Sequence, residues 1–194
     1  MRLILASSSP RRRELLATLG VEFITEPGAD LAEAELLARL DGDLEERLGQ
    51  LALLKGDAAA SSSPASLVLS ADTAVVVGED VLGKPANLAE AVEMLRRLSG
   101  RVHLVITAVA VQQREARLEH VAVETTRVAF HRLDDDTIRR YVQREQPYDK
   151  AGAYAIQGLG ALLVSRIEGD YSNVVGLPLG ATARLLQGAG LRIL

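Results

Sequence analysis

Asp72 and Lys84 are the first residues in this chain whose setting suggests chemistry. They lie in the stretch Ser70 to Pro85, SADTAVVVGEDVLGKP. The spacing places Asp72 at the end of the β-type run Ser66–Ser70, with a second apolar run at Ala74–Val77. A turn-like acidic loop, Gly78-Glu79-Asp80, follows, and Lys84 sits between Gly83 and Pro85. An acid and a lysine flanking a short hydrophobic hairpin could face one cleft, the acid handling a metal or a water and the lysine a phosphate. Gly78–Pro85 also imitates a phosphate-binding P-loop, with Gly, four residues, then Gly-Lys. The imitation lacks working parts: Pro85 stands where a metal-holding Ser or Thr hydroxyl belongs, offers no N–H, and Glu79 and Asp80 would repel an anion.

Further candidates are scattered along the chain. The cations are Arg11, Arg12, Lys55, Lys84 and Lys150, and the acids are Glu33, Asp72 and Asp149. Hydrolysis of a nucleoside triphosphate needs both kinds: cations and a divalent ion neutralise phosphate oxygens, while carboxylates hold that ion and orient or deprotonate a water. Near the N-terminus a serine-rich turn, Ser7-Ser8-Ser9, precedes Pro10 and three arginines. Two readings stand there. Backbone N–H groups, hydroxyls and arginines at one helix start suit an anion, and the same residues make a solvated basic turn. Lys55 taken alone reads as a solvated helix lysine. His103, His120 and His131 share no metal-ligand spacing and read as structural or solvated, and Asp134–Asp136 reads as a helix cap.

These residues need elements to position them. Leu3–Ala6 predicts a buried strand and Ser9-Pro10 a helix start, with Leu15, Leu16 and Leu19 inward and Gly20 at the end. Val21–Thr25 predicts a strand and 26–43 a loop. Apolar residues from Leu44 to Ala59 recur at helical spacing up to the breaker Ser61–Pro64. Asn87 predicts the start of a helix ended by Gly100. Val102–Gln112 and Leu118–Leu133 predict two long strands joined at 113–117, the first central because both its faces are apolar. A strand at Leu162–Ile167, a glycine-flanked loop at 169–176 and a helix from Pro178 complete the order. Strands and helices alternate without a linker or repeat, so the class is α/β and the expected organisation a single domain, 1–194.

Composition narrows the function. The 194 residues carry a net charge of −4, with 48% hydrophobic, 25% charged and 3% aromatic residues and no cysteine. An acidic balance and few aromatics argue against a nucleic-acid surface, and thiol chemistry and cysteine-based zinc sites are excluded. No apolar run approaches the roughly 20 residues of a membrane span, and the apolar start is too short for a signal peptide. The expected setting is cytoplasmic.

SSSPRRRELL, SADT…GKP, MLRRLSG (94–100) and YDKAGAYAIQGLGALLVSRIEGDYSNVVGLPL (148–179) closely resemble the Maf family, often labelled septum-formation inhibitors. The resemblance runs through almost the whole chain. It implies an elongated, mixed and largely antiparallel sheet flanked by helices, with two lobes around a central cleft. It implies a pyrophosphatase that cleaves a nucleoside triphosphate to the monophosphate and pyrophosphate with Mg²⁺ or Mn²⁺, and it is compatible with a homodimer. Asp72 is then the proton acceptor and lies near the metal with Glu33. Ser7, Arg11 and Arg12 match the phosphate-binding segment, Lys84 the GKP lysine, Asp149 and Lys150 the DKAG segment, and Lys55 a family lysine. Asp30-Leu-Ala-Glu33 stands where the family often has Asp-Ile-Asp-Glu, so Ala32 removes one carboxylate. Arg11, Thr73 and Gln157 correspond to specificity positions, and Ser8 and Ala155 stand where glycine is common.

KAGAYAIQG resembles the branch acting on dTTP and UTP, with modified pyrimidine nucleotides as further candidates, rather than the branch preferring 7-methyl-GTP. Gln157 carries both a carbonyl acceptor and an amide donor, which suits the N3–H and O4 edge of uracil or thymine. Two other readings stand beside this one: a nucleotide-binding regulator of septum formation without significant turnover, and a structural domain whose polar groups are merely solvated.

Overall fold

The computed structural model of the chain describes residues 2–29 and 31–193. In chain order the elements are β1 (Leu3–Ala6), α1 (Pro10–Ala17), β2 (Ile24–Glu26), α2 (Glu33–Arg39), α3 (Leu44–Ser62), β3 (Leu67–Val77), β4 (Asp80–Leu82) and α4 (Leu88–Leu98). They continue with β5 (Val102–Gln113), β6 (Leu118–Phe130), α5 (Asp135–Glu145), two short 3₁₀ turns at Ala151–Ala153 and Gly158–Leu162, β7 (Val164–Glu168), α6 (Tyr171–Val175) and α7 (Leu179–Gly188). The class is α/β, with helices flanking one mixed sheet of order β2-β1-β3-β5-β6-β7, and β4 paired to β3. β1 runs parallel to β2 and β3, while the β3–β4 and β6–β7 pairs are antiparallel. β5 is central, as its two apolar faces predict.

The chain divides into two compact units. The first comprises the chain up to Asp72, Thr107–Glu124 and the chain from Gly176 on; the second comprises Thr73–Ile106 and Thr125–Val175. In the first unit, side chains of β1 alternate between two layers. Leu3 and Leu5 join Leu16 of α1 and Leu186 of α7. Ile4 joins Val68 of β3 and Ala59 and Ala60 of α3. Burial on both faces explains why the strand reads as an unbroken apolar run. The core of the second unit packs Val92 and Leu95 of α4 and Ile138 and Val142 of α5 against Val105, Val128 and Phe130.

The helix starts follow their cap residues. Ser9, Asn87 and Asp134 each accept a hydrogen bond from the backbone N–H three residues on, which offsets one of the unpaired donors of the first turn. Three expectations are corrected. The predicted loop 26–43 contains α2, whose N-cap position, Ala32, makes no side-chain cap bond and gave no start signal. The glycine-flanked loop at 169–176 contains α6, where Asp170 Oδ1 accepts from Ser172 N at 2.7 Å. The two apolar runs around Asp72 are one strand, β3, so Asp72 lies inside it rather than at its end. Its polar residues do not break the strand because Ser70 and Asp72 both find partners on α3.

Candidate active site

β3 and α3 build the charged centre of the first unit. Val68, Ser70 and Asp72 lie on one face of β3 by the two-residue period of a strand, and Val68 packs with Ala59 and Ala60 of α3. Asp72 therefore faces α3, where Lys55 meets it. Lys55 Nζ donates to Asp72 Oδ1 and, at 2.7 Å, to Glu33 Oε1 at the start of α2. The Lys55 side chain is 12% exposed and that of Asp72 6%. Two carboxylates thus converge on one shielded ammonium, in a setting where charges interact more strongly than in water.

The register of α3 sets where that ammonium falls. Ser70 Oγ donates to Ala52 O at 2.6 Å, and Gln112 Nε2 donates to Leu53 O at 2.9 Å. The Lys55 carbonyl accepts from Ala29 N at 3.1 Å, tying the chain that leads to Glu33 against the same turn. Gly56 makes the close approach possible: a Cβ there would collide with Gln112 Nε2 and lie 2.8 Å from Ser70 Oγ.

Arg12 braces this centre from α1. Its Nε donates to Gly176 O at 2.8 Å and its Nη1 to Ala71 O at 2.7 Å, immediately before Asp72. Burial pulls the Arg12 guanidinium below its ordinary pKa, while the negative charges of Asp72 and Glu33 oppose that shift and Arg11 adds to it. In the preceding turn, Ser7 Oγ accepts from Ser9 N at 3.2 Å and Ser9 Oγ from Arg12 N at 3.4 Å. Two backbone donors counted toward an anion site are therefore already engaged locally.

The other predicted residues lie in the second unit. Thr73 follows Asp72 on β3 and is half-buried. Lys84 is exposed in the loop after β4, and Gly83 O accepts from Gly152 N at 3.0 Å, so the GKP loop is tied to the AGA turn. Lys150 Nζ donates to Asp149 Oδ1 at 2.6 Å, with the lysine side chain 15% and the aspartate 61% exposed. The P-loop imitation is a hairpin turn, in which Val77 pairs with Asp80 across Gly78-Glu79.

Gln157 stands exposed at the end of a pinned loop. Gly152 and Ala153 both adopt positive φ, 66° and 59°, a strained state for alanine. Tyr141 Oη accepts from Ala155 N at 3.2 Å, and the buried Tyr154 hydroxyl shares a 2.7 Å hydrogen bond with His103 Nε2. His103, Tyr154 and Phe130 pack edge to face. Burial lowers His103 to a pKa of about 4 and raises that of the Tyr154 phenol. Ser70 and Gln112 were not singled out by sequence, and His103, read there as structural or solvated, is a buried core residue. The available signal was a polar residue inside an otherwise apolar run, which does not by itself indicate a partner.

Among the described residues no group of three or more His, Cys, Asp and Glu is placed to hold a metal ion. Glu33 and Asp72 bring two carboxylates to the Lys55 ammonium, and two carboxylates are the kind of donor set that would hold Mg²⁺. Asp30, the other acid of that segment, lies outside the described residues.

The fold is of the mixed α/β class, helices flanking one sheet. The family described as Maf-like protein matches residues 2–189, and the chain belongs to it. The protein named dTTP/UTP pyrophosphatase in Myxococcus xanthus is 49% identical over 189 residues, covering 97% of this chain and 93% of that one. The protein of the same name in Symbiobacterium thermophilum is 50% identical over 192 residues, covering 98% and 95%. Among solved structures, the Staphylococcus aureus Ham1 protein is similar with a TM-score of 0.45 and 17% identity, over 67% of this chain and 72% of that one.

Proposed function

We propose that this chain is a nucleoside triphosphate pyrophosphatase that hydrolyses dTTP and UTP to the monophosphate and pyrophosphate, with residues 1–194 acting as one domain. The observation that carries the reading is the shielded Glu33–Lys55–Asp72 centre in a chain about half identical to the two pyrophosphatases named above. Asp72 takes a proton from the attacking water as it adds to the α-phosphorus, and the bond to the bridging oxygen of the pyrophosphate breaks. Lys55 holds Asp72 through Oδ1 and fixes the direction of that carboxylate. Arg12, braced on Ala71 and Gly176, keeps a cation beside the acids. Glu33 and Asp72 are the residues that would hold Mg²⁺ or Mn²⁺, which supplies neutralisation of phosphate charge when bound.

In the same reading Ser7, Arg11, Lys84 and Lys150 serve the phosphates, and Asp149 orients Lys150. Thr73 and Gln157, with Arg11, select the pyrimidine base. The partner is a small nucleotide rather than nucleic acid. Among the described residues no helix is long and apolar enough to cross a membrane, and the cytoplasmic setting is part of this proposal.

The test is a panel of nucleoside triphosphates, including 7-methyl-GTP, incubated with purified protein and Mg²⁺ or Mn²⁺ while pyrophosphate release is measured. dTTP and UTP should turn over fastest. Absence of pyrophosphate from every nucleotide of the panel overturns the enzyme reading, and tight dTTP binding without product would move the assignment to a nucleotide-binding regulator. Fastest turnover of 7-methyl-GTP would overturn the substrate assignment alone.

A further inference from the structure

Gln157 can select a base only if its main chain holds still. It is exposed, as is Gly158 after it, and among the described residues no hydrogen bond reaches its carboxamide. Its placement therefore comes from the backbone. A loop that had to be ordered at each binding event would lose part of its contact energy to that ordering.

The backbone before Gln157 is held at successive residues, all within the second unit. Gly152 is tied to Gly83 O. Tyr154 buries its ring, 6% exposed, edge to face with His103 and Phe130 at centroid distances of 5.4 and 4.8 Å. Its hydroxyl meets His103 Nε2 of β5 at 2.7 Å. Tyr141 of α5 secures the next residue, its Oη accepting from Ala155 N at 3.2 Å. Ile156 is buried in turn. Gly160 closes the far side, where a Cβ would collide with Ala155 O and lie 3.2 Å from Tyr141 Oη. Gln157 is the first exposed residue after this held segment.

The two phenols are informative because both rings belong to an apolar core. Phenylalanine would supply the same packing there, and a buried hydroxyl costs stability unless it is bonded. One hydroxyl bonds the loop backbone at Ala155 and the other fixes Tyr154, the loop residue before it, to β5. The hydroxyls thus serve the loop rather than the core.

We propose that Tyr141 and Tyr154, with His103, are positioning residues for base selection. They hold residues 153–156 so that the Gln157 carboxamide is preset for the edge of uracil or thymine. The inference rests on the base-selecting role of Gln157 proposed above. A ligand that lacks the base gains nothing from a preset Gln157, so loosening the loop weakens dTTP and leaves a bare polyphosphate unaffected. The three residues act through Gln157 and not on the reacting phosphate, so KM moves rather than kcat.

The test follows pyrophosphate release from dTTP, with inorganic tripolyphosphate as a competitive inhibitor lacking the base. The chains compared are the parent, Gln157→Ala, Tyr141→Phe, Tyr154→Phe, and each tyrosine variant combined with Gln157→Ala. Tyr141→Phe should raise KM for dTTP about fivefold, with kcat and the tripolyphosphate inhibition constant within about twofold of the parent. In the Gln157→Ala background the same change should have no further effect, because a positioning residue acts only through the group it positions. Parallel weakening of dTTP and tripolyphosphate, or full additivity with Gln157→Ala, identifies a merely structural role and overturns the proposal. An unchanged KM in both tyrosine variants overturns it equally. If Gln157→Ala itself leaves KM for dTTP unchanged, the base-selecting role of Gln157 fails and takes the proposal with it. Tyr154→Phe removes the partner of His103 Nε2; should that variant fail to fold, Tyr141→Phe decides.

Discussion

At the residue scale the decisive group is Lys55, a lysine whose helix position alone indicates nothing. Its ammonium joins Asp72 to Glu33 in a partly buried cluster, where removal of one partner exposes the others to uncompensated burial. Asp72→Asn is the informative change. It keeps the shape and leaves Lys55 paired to Glu33, so the protein should remain folded by circular dichroism. Loss of the proton acceptor should lower kcat by roughly 10²–10⁴-fold, measured as pyrophosphate release. His103 gives a second prediction, on stability. Its folded pKa of about 4 lies below the ordinary 6.5 because burial disfavours the charged ring. Between those values the unfolded chain binds a proton that the folded chain does not. The His103 contribution is therefore fully present above about pH 6.5 and is lost as pH falls toward 4, by up to about 3 kcal/mol. Urea midpoints measured from pH 7 to 4 should fall less steeply in His103→Gln than in the parent chain.

At the scale of elements, the active centre depends on how α3 docks on the sheet. Ser70 and Gln112 bond to consecutive carbonyls of α3 next to Lys55, and Gly56 provides the room. Gly56→Ala should push Gln112 away and cost about 1–3 kcal/mol in urea unfolding through overpacking. It should also lower kcat, because the neighbouring Lys55 moves with the helix turn; unchanged turnover would separate the docking of α3 from catalysis. Most elements were legible from their ends. Ser9-Pro10, Asn87 and Asp134 mark helix starts because short polar side chains accept first-turn N–H groups. α2 and α6 were not legible: seven and five residues are too short to display a helical period. The break predicted around Asp72 failed for a related reason. A polar residue interrupts a strand on paper, but partners on α3 keep it within the ladder.

For the whole molecule, a ligand that binds only the folded state shifts unfolding by mass action. The slow variant Asp72→Asn permits that measurement without consuming the nucleotide. With dTTP and Mg²⁺ at about 100 times the dissociation constant, its Tm should rise by roughly 5–10 °C. Adding EDTA should remove most of the shift if Glu33 and the phosphates carry the ion together; a shift insensitive to EDTA would exclude metal-linked binding. The sequence by itself determined the α/β class, the central position of β5, the main helix starts and the motif residues that mark the Maf family, because periodicity, caps and local motifs are written in neighbouring residues. It also exposed the P-loop imitation, since Pro85 lacks the N–H and hydroxyl that such a loop requires. Only the tertiary structure decided that Lys55 belongs to Asp72 and Glu33 and that Arg12 grips two main-chain carbonyls. Those facts depend on side chains and backbone brought together from distant positions, where hydrogen-bond geometry and shared burial, rather than spacing along the chain, select the partners.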